Sequence, residues 1–230
     1  MSKTLVLLSG GQDSITCLCL AVKSFDEVAT ISFRYGQQHA KETDYAIIAA
    51  AKLGIEDSHV IDLSFLPSLV RSALVGTAGD DVSDFHPDHP TLPASFVPNR
   101  NALFITLAHA YAQTIQAGTI VGGMNQTDYS GYPDCREDFL NTILRALNIG
   151  SNSQIRGFFP LLHYTKMQTW LMAEDLGKVQ FVLENSMTCY YGVEKMNEWG
   201  YGCSKCPACK LRAKGWKEYL VSKHSVSLWR

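Results

Sequence analysis

Apolar residues follow two rhythms along the first half of the chain. Residues 4–8 (TLVLL) form a continuous apolar run suited to a buried strand. Ile15, Leu18, Cys19 and Val22 then recur at i, i+3, i+4 and i+7, which is one face of a helix. Asp13 is placed to cap that helix. Residues 28–33 (VATISF) read as a second strand, and about 39–53 as a second helix stopped by Gly54. Residues 58–63 follow as a third strand. Phe104, Leu107, Ala108, Tyr111 and Ile115 mark a third helix ended by Gly118, and 119–123 (TIVGG) a fourth strand. A C-terminal helix is expected to begin near Pro207. This alternation with short links predicts an α/β protein, with a Rossmann-like parallel sheet covered by helices on both faces. Ligands then sit at the carboxyl ends of the strands, so the residues after strands one and four hold the site.

Residues 76–95 break the rhythm. They contain two glycines, three prolines, four aspartates and no lysine or arginine. Such a stretch is either a disordered loop or a lid.

Composition narrows the class. With 46 % hydrophobic and 18 % charged residues, the 230-residue chain is globular and is expected to form one domain over 1–230. A net charge of −2 argues against a dedicated nucleic-acid coat. No apolar run approaches the ~20 residues of a membrane span. The first apolar run is too short for a signal-peptide core, so the expected location is the cytoplasm.

Three segments carry candidate chemistry. Ser9-Gly10-Gly11-Gln12-Asp13-Ser14, entered from Leu8, lies between the first strand and first helix. Glycines there let a phosphate approach backbone N–H groups at a helix start, and the serines add hydroxyls. An ordinary Gly-Gly turn with polar caps has the same composition. No Gly-Lys-Ser/Thr follows, so this is not a Walker A loop.

The second segment is the cysteine group. Seven cysteines, an odd number, do not suggest a disulfide framework. Cys189, Cys203, Cys206 and Cys209 are concentrated late, with Cys-x2-Cys-x2-Cys spacing in the last three. Four thiolates suit a structural zinc ion. An iron–sulfur cluster is the second option, although a ferredoxin run would place another cysteine where Ala213 stands. The metal would pin the C-terminal helix to the body, making 189–230 a metal-bound helical segment. Residues 203–230 hold seven Lys/Arg and one Glu, a basic tail that either is simply solvated or touches RNA or phosphate.

The third segment runs from Gly122 to Arg136, after the fourth strand. Asp128, Tyr129, Ser130, Tyr132, Asp134 and Arg136 give it the look of a polar-aromatic pocket wall. A long loop ending in a Pro-Asp helix cap would read similarly.

These segments also resemble known motifs. Ser9-Gly10-Gly11-Gln12-Asp13-Ser14 resembles the SGGxDS loop of the ATP pyrophosphatases, the PP-loop enzymes. Pro160-Leu161-Leu162-His163-Tyr164-Thr165-Lys166 resembles their PL(x)nK segment, whose lysine reaches the phosphates. Asp128-Tyr129-Ser130-Gly131-Tyr132-Pro133-Asp134-Cys135-Arg136 looks like the DxSGYPDCR signature of the 7-cyano-7-deazaguanine synthase family. Phe96-Val97-Pro98-Asn99-Arg100-Asn101 looks like its FVPGRN segment, Tyr35-Gly36-Gln37 like its YGQ motif, and the four cysteines like its zinc site. The likeness spans nearly the whole chain.

The resemblance implies an adenine nucleotide alpha-hydrolase-like fold and a homodimer. It implies an enzyme of queuosine biosynthesis, a C–N ligase that uses ATP with Mg2+ and ammonia to turn 7-carboxy-7-deazaguanine into its nitrile. Leu8, Ser9, Gly10, Gly11, Gln12, Asp13 and Ser14 would hold ATP. Lys166, Arg100 and Asp13 would act at the reacting phosphates, and the six polar residues between 128 and 136 would grip the base. One structural Zn2+ would sit on the cysteines. No nucleic acid or membrane is expected as partner.

Two departures stand out. Asn99 replaces the family's usual glycine, where the backbone would be less free to approach a ligand. The gap from Cys189 to Cys203 is about five residues longer than usual, which suggests an extra loop over 193–200. Three other readings remain. The protein stops at the amide, or it is a PP-loop enzyme that modifies a tRNA base, or it is a zinc-stabilised nucleotide-binding module without catalysis.

Overall fold

The computed structural model describes residues 2–37, 41–75, 85–86, 88–127 and 131–227, with side chains to 223. In chain order the elements are β1 (Lys3–Leu7), α1 (Gln12–Ser24), β2 (Glu27–Arg34), α2 (Lys41–Lys52) and β3 (Ser58–Asp62). A short hairpin of β4 (Phe85–His86) and β5 (His89–Pro93) precedes α3 (Arg100–Thr114), β6 (Thr119–Gly122), α4 (Glu137–Ser151) and β7 (Arg156–Phe158). The chain continues through α5 (Lys166–Asp175), α6 (Val179–Asn185), the hairpin strands β8 (Met196–Asn197) and β9 (Gly200–Tyr201), and α7 (Pro207–Ser227).

Five parallel strands form one sheet in the order β3-β2-β1-β6-β7. Successive side chains of β1 point to opposite faces, so its apolar run serves two cores. Leu5 and Leu7 join Ile31, Phe33 and Ile120 beneath α3 and α4 (Ile105, Ala108, Leu140, Leu144). Val6 and the following Leu8 join Val121 beneath α1, α2, α5, α6 and α7 (Ile15, Ala46, Trp170, Val182, Tyr219). Both faces are therefore covered, as expected. The order reverses between β1 and β6, and the crevice of such a sheet opens at their carboxyl ends.

Several boundaries differ from the sequence reading. The predicted start of the second helix at His39 lies outside the described residues. Asp13 does not cap α1: Gly11 holds the cap position without a side-chain hydrogen bond, and Asp13 sits in the first turn. Gly118 does not stop α3. Gln116 takes the left-handed conformation (φ 58), and Ala117 N–H reaches back to the Ala112 carbonyl at 2.8 Å. This closure is a Schellman motif, which needs the left-handed backbone but does not require glycine. Within the suspected lid, residues 76–84 and 87 lie outside the described residues. The described remainder carries the β4–β5 hairpin.

Asn99 is left-handed too (φ 57), at the cap of α3. Position 99 therefore needs a residue that tolerates left-handed backbone, which glycine does best and asparagine better than most others. Asn99→Gly is expected to be nearly neutral, whereas Asn99→Ala loses about 1 kcal/mol. Urea titration of both variants checks this.

Candidate functional site

The turn after β1 is built by its own side chains. Ser14 Oγ accepts from Gly10 N–H at 3.1 Å and lies 3.0 Å from Ser9 Oγ, which accepts from Gly11 N–H at 3.3 Å. Gly10 has φ +90, and a Cβ there would overlap the Glu42 carbonyl at the start of α2. Gly123, at the end of β6, lies so close that its Cβ would stand 2.9 Å from Ser14 N. Glycines at both strand ends thus let the loop, α2 and β6 converge. Gly10→Ala is expected to cost about 2–4 kcal/mol, from strain plus overlap with backbone. Chemical denaturation showing less than ~0.5 kcal/mol would contradict that packing.

Lys166 is the first residue of α5, whose capping box uses Thr165 and Gln168. A cation at a helix N-terminus opposes the dipole. Here the side chain is only 8 % exposed and its ammonium ion-pairs with Asp13 Oδ2 on α1. Asp13 Oδ1 and both side-chain polar atoms of Gln12 are buried without partners among the described residues. The orphaned donor Gln12 Nε2, a glycine cradle and a buried lysine at a helix start fit a bound polyphosphate, and the orphaned acceptor Asp13 Oδ1 fits its counter-cation. Leu8 contributes only backbone, since its side chain belongs to the core.

Arg100 stands in a second cluster, in the first turn of α3. Its guanidinium donates to Tyr35 Oη at 3.4 Å and lies 5.9 Å from the Tyr132 ring. Burial disfavours its charge, but Tyr35, Tyr132 and Asp134 outweigh burial and raise its pKa. Tyr132 Oη is 2.6 Å from Ser95 Oγ, and its ring packs on Phe96 beside the hairpin residues His86 and His89. Asp134 is buried. Its Oδ2 accepts from Asn101 N–H at 3.1 Å, while Oδ1 is unpartnered among the described residues. The two predicted segments around Arg100 and Asp134 thus meet in space. Arg136 caps α4 and its side chain is exposed. Asp128, Tyr129 and Ser130 lie outside the described residues. The Cys135 thiol is pushed up to about 11 by burial and Asp134, which disfavours a thiolate nucleophile.

Sequence reasoning missed two members of this cluster. Glu42 has its pKa raised to about 7 by burial, with Arg100 opposing and Cys189 adding. Tyr190 is held well above the usual tyrosine value by burial and Tyr132. Neither carries a local motif beyond its neighbours, the second helix start and Cys189.

The four cysteine sulfurs lie within 4.8 Å of one another. Cys203 and Cys209 sulfurs are 3.8 Å apart. A tetrahedral ion with ~2.3 Å metal–sulfur bonds needs sulfurs about that far apart, so the donor set fits a zinc ion. Lys205 and Cys206 N–H groups point at Cys203 Sγ, both at 3.3 Å, which favours a thiolate there. Residues 193–200, expected as a loop, carry most of the β8–β9 hairpin, tied by Asn197 and packed through Trp199 on the cysteines.

A parallel sheet with a glycine-serine loop at its switch point, a buried lysine against that loop and a four-cysteine cluster define a PP-loop type of α/β protein. The model of the family described as "Queuosine biosynthesis protein QueC" matches residues 3–220. A 7-cyano-7-deazaguanine synthase of Wolinella succinogenes is 50 % identical over 222 residues, 96 % of this chain and 95 % of its own. One from Helicobacter pylori is 46 % identical over 216 residues, 94 % and 95 % of the two chains. The chain belongs to the QueC family of queuosine biosynthesis proteins. Among solved structures, a 4-thiouridine synthetase–RNA complex with bound ATP overlays with TM-score 0.48 at 16 % identity, covering 97 % of this chain and 53 % of that one. No described helix is long and apolar enough to cross a membrane.

Proposed function

We propose that the protein is a 7-cyano-7-deazaguanine synthase, with 1–230 acting as one PP-loop unit and 189–230 as its zinc-bound segment. The observation that carries this reading is the pairing of Lys166 with Asp13 at the glycine loop, together with the separate Arg100–Tyr132–Asp134 cluster. One site suits a polyphosphate and the other a flat, polar base with an anionic group.

In this reading the substrate carboxylate attacks the α-phosphorus of ATP and pyrophosphate leaves. Ammonia displaces AMP from the acyl-adenylate to give the amide. A second ATP adenylates the amide oxygen, again releasing pyrophosphate, and elimination of AMP with loss of the N–H protons leaves the nitrile. The Ser9 and Ser14 hydroxyls and Lys166 offset the growing charge on pyrophosphate, and Mg2+ would supply further neutralisation when bound. Arg100 meets the substrate's carboxylate, a change from its expected role at the phosphates. Asp134, Tyr132 and Arg136, with Asp128, Tyr129 and Ser130, surround the base. Zinc stays structural because protein fills all four positions. The protein acts on a small molecule in the cytoplasm, as a homodimer, without nucleic acid.

The test is mass spectrometry of products from 7-carboxy-7-deazaguanine, ATP, Mg2+ and ammonium. Nitrile with two pyrophosphates per turnover is expected. Amide alone would mark a member that stops halfway, and no product would overturn the substrate assignment.

A further inference from the structure

Arg212 is a buried charge that the reaction described above does not use. Helix α7 leaves the cysteine cluster carrying Cys209, Arg212, Trp216 and Tyr219 at i, i+3, i+7 and i+10, along one face. Arg212 is 0 % exposed. Its Nη1 donates to the Ser186 carbonyl at 3.4 Å and Thr188 Oγ1 at 3.1 Å, and its Nη2 to the Val182 carbonyl at 3.5 Å. Its Nε–H has no acceptor among the described residues. The Trp170 ring lies 5.5 Å from the guanidinium carbon. Every one of these partners is neutral. Burial lowers the Arg212 pKa to about 10, with Asp13 and Cys209 opposing, so the group is charged near neutral pH. Holding a cation in the interior without a hydrogen-bonded carboxylate is costly unless an anion comes near.

The surroundings indicate which anion. Asp13 and Cys209 are the acidic groups whose fields reach Arg212; Asp13 is already paired with Lys166, so Asp13, Lys166 and Arg212 together carry one positive charge beside the glycine loop. The link is also mechanical. Thr188 Oγ1, which accepts from Arg212, also accepts from Gln12 N–H at 3.2 Å. One residue away, Met187 N–H donates to the Gly10 carbonyl at 2.9 Å. Helix α7 also abuts the lysine, since a Cβ on Gly215 would overlap Lys166 Cβ. Cys206 and Cys209 anchor the first turn of this same helix.

We propose that Arg212 is a positioning residue for the triphosphate of ATP, tying the cysteine-anchored helix α7 to the phosphate loop through Thr188 and through its buried charge. Anion affinity at the loop then depends on how α7 is seated. This inference rests on the phosphate-loop reading above.

The test compares Arg212→Met, Arg212→Lys and Thr188→Val with wild type. Calorimetry gives the affinity for pyrophosphate with Mg2+, steady-state kinetics give KM and kcat, and melting temperature and metal content are recorded alongside. Arg212→Met is expected to weaken pyrophosphate binding and raise KM for ATP roughly 10- to 100-fold. KM for the deazaguanine acid should stay within about twofold. Arg212→Lys should recover most of the lost affinity. Thr188→Val should weaken pyrophosphate roughly 3- to 10-fold at unchanged metal content. A methionine variant that melts earlier yet binds pyrophosphate like wild type would overturn the proposal. So would a lysine variant no better than methionine. Should Arg212→Met not fold, unchanged pyrophosphate affinity in Thr188→Val overturns it alone. Wild-type protein that binds neither ATP nor pyrophosphate would overturn the phosphate-loop reading and this inference together.

Discussion

Lys166→Ala is expected to lower kcat/KM by roughly 10²–10³, about 3–4 kcal/mol of transition-state stabilisation. The ammonium is nearly buried at the start of α5, against Asp13 and the glycine loop. Negative charge grows on pyrophosphate as the α-phosphate bond breaks, and a cation fixed in a low-dielectric site stabilises that charge strongly. The same substitution leaves Asp13 without its partner, so stability should fall as well. The two effects separate by experiment. Lys166→Met keeps the packing stem against Gly215 and should melt closer to wild type while remaining as slow as alanine. Near-normal kcat/KM in either variant would remove Lys166 from the phosphate site.

Cys206→Ala should abolish stoichiometric metal and lower the melting temperature by more than any single core truncation. Structural zinc contributes apparent binding free energies of ~10–16 kcal/mol in small peptides. In a chain with two other apolar cores, a net loss of about 5 kcal/mol is a sensible expectation, or roughly 10–20 °C. The loss should be local at first. Cys206 and Cys209 begin α7, and α7 covers α5 through Trp216 on Trp170. Metal analysis and thermal melting check this together. An unchanged metal ratio would overturn the four-cysteine site, and a brown, iron-containing protein would replace zinc by an iron–sulfur cluster.

Much of the architecture was legible because its signals are local. An apolar run too short for a helix, a Gly-Gly turn and a 3.6-residue stripe need no tertiary information, so β1, β2, β3 and β6 were read within a residue and the start of α1 within two. The cysteine cluster was legible for a similar reason, since thiols at such spacing have few other uses. Helix α4 was also available to the same reasoning, because Leu140, Ile143, Leu144 and Leu147 repeat at i, i+3, i+4 and i+7. The stop of α3 was misread because glycine is the commonest left-handed residue, whereas the chain used Gln116.

The sequence by itself determined the alternation of strands and helices, the place of the phosphate-type loop, the thiol cluster and the resemblance that led to the family. All of these are set by residue type and spacing along a continuous stretch. Only the tertiary structure decided that Asp13 pairs with Lys166 instead of capping α1, and that Arg100 packs beside Tyr132 and Asp134. It also turned one arginine of an apparently solvated basic tail into a fully buried charge behind the loop. A charged side chain's partners are chosen by which distant segments share its low-dielectric surroundings, and that is a property of packing, which spacing along the chain does not encode.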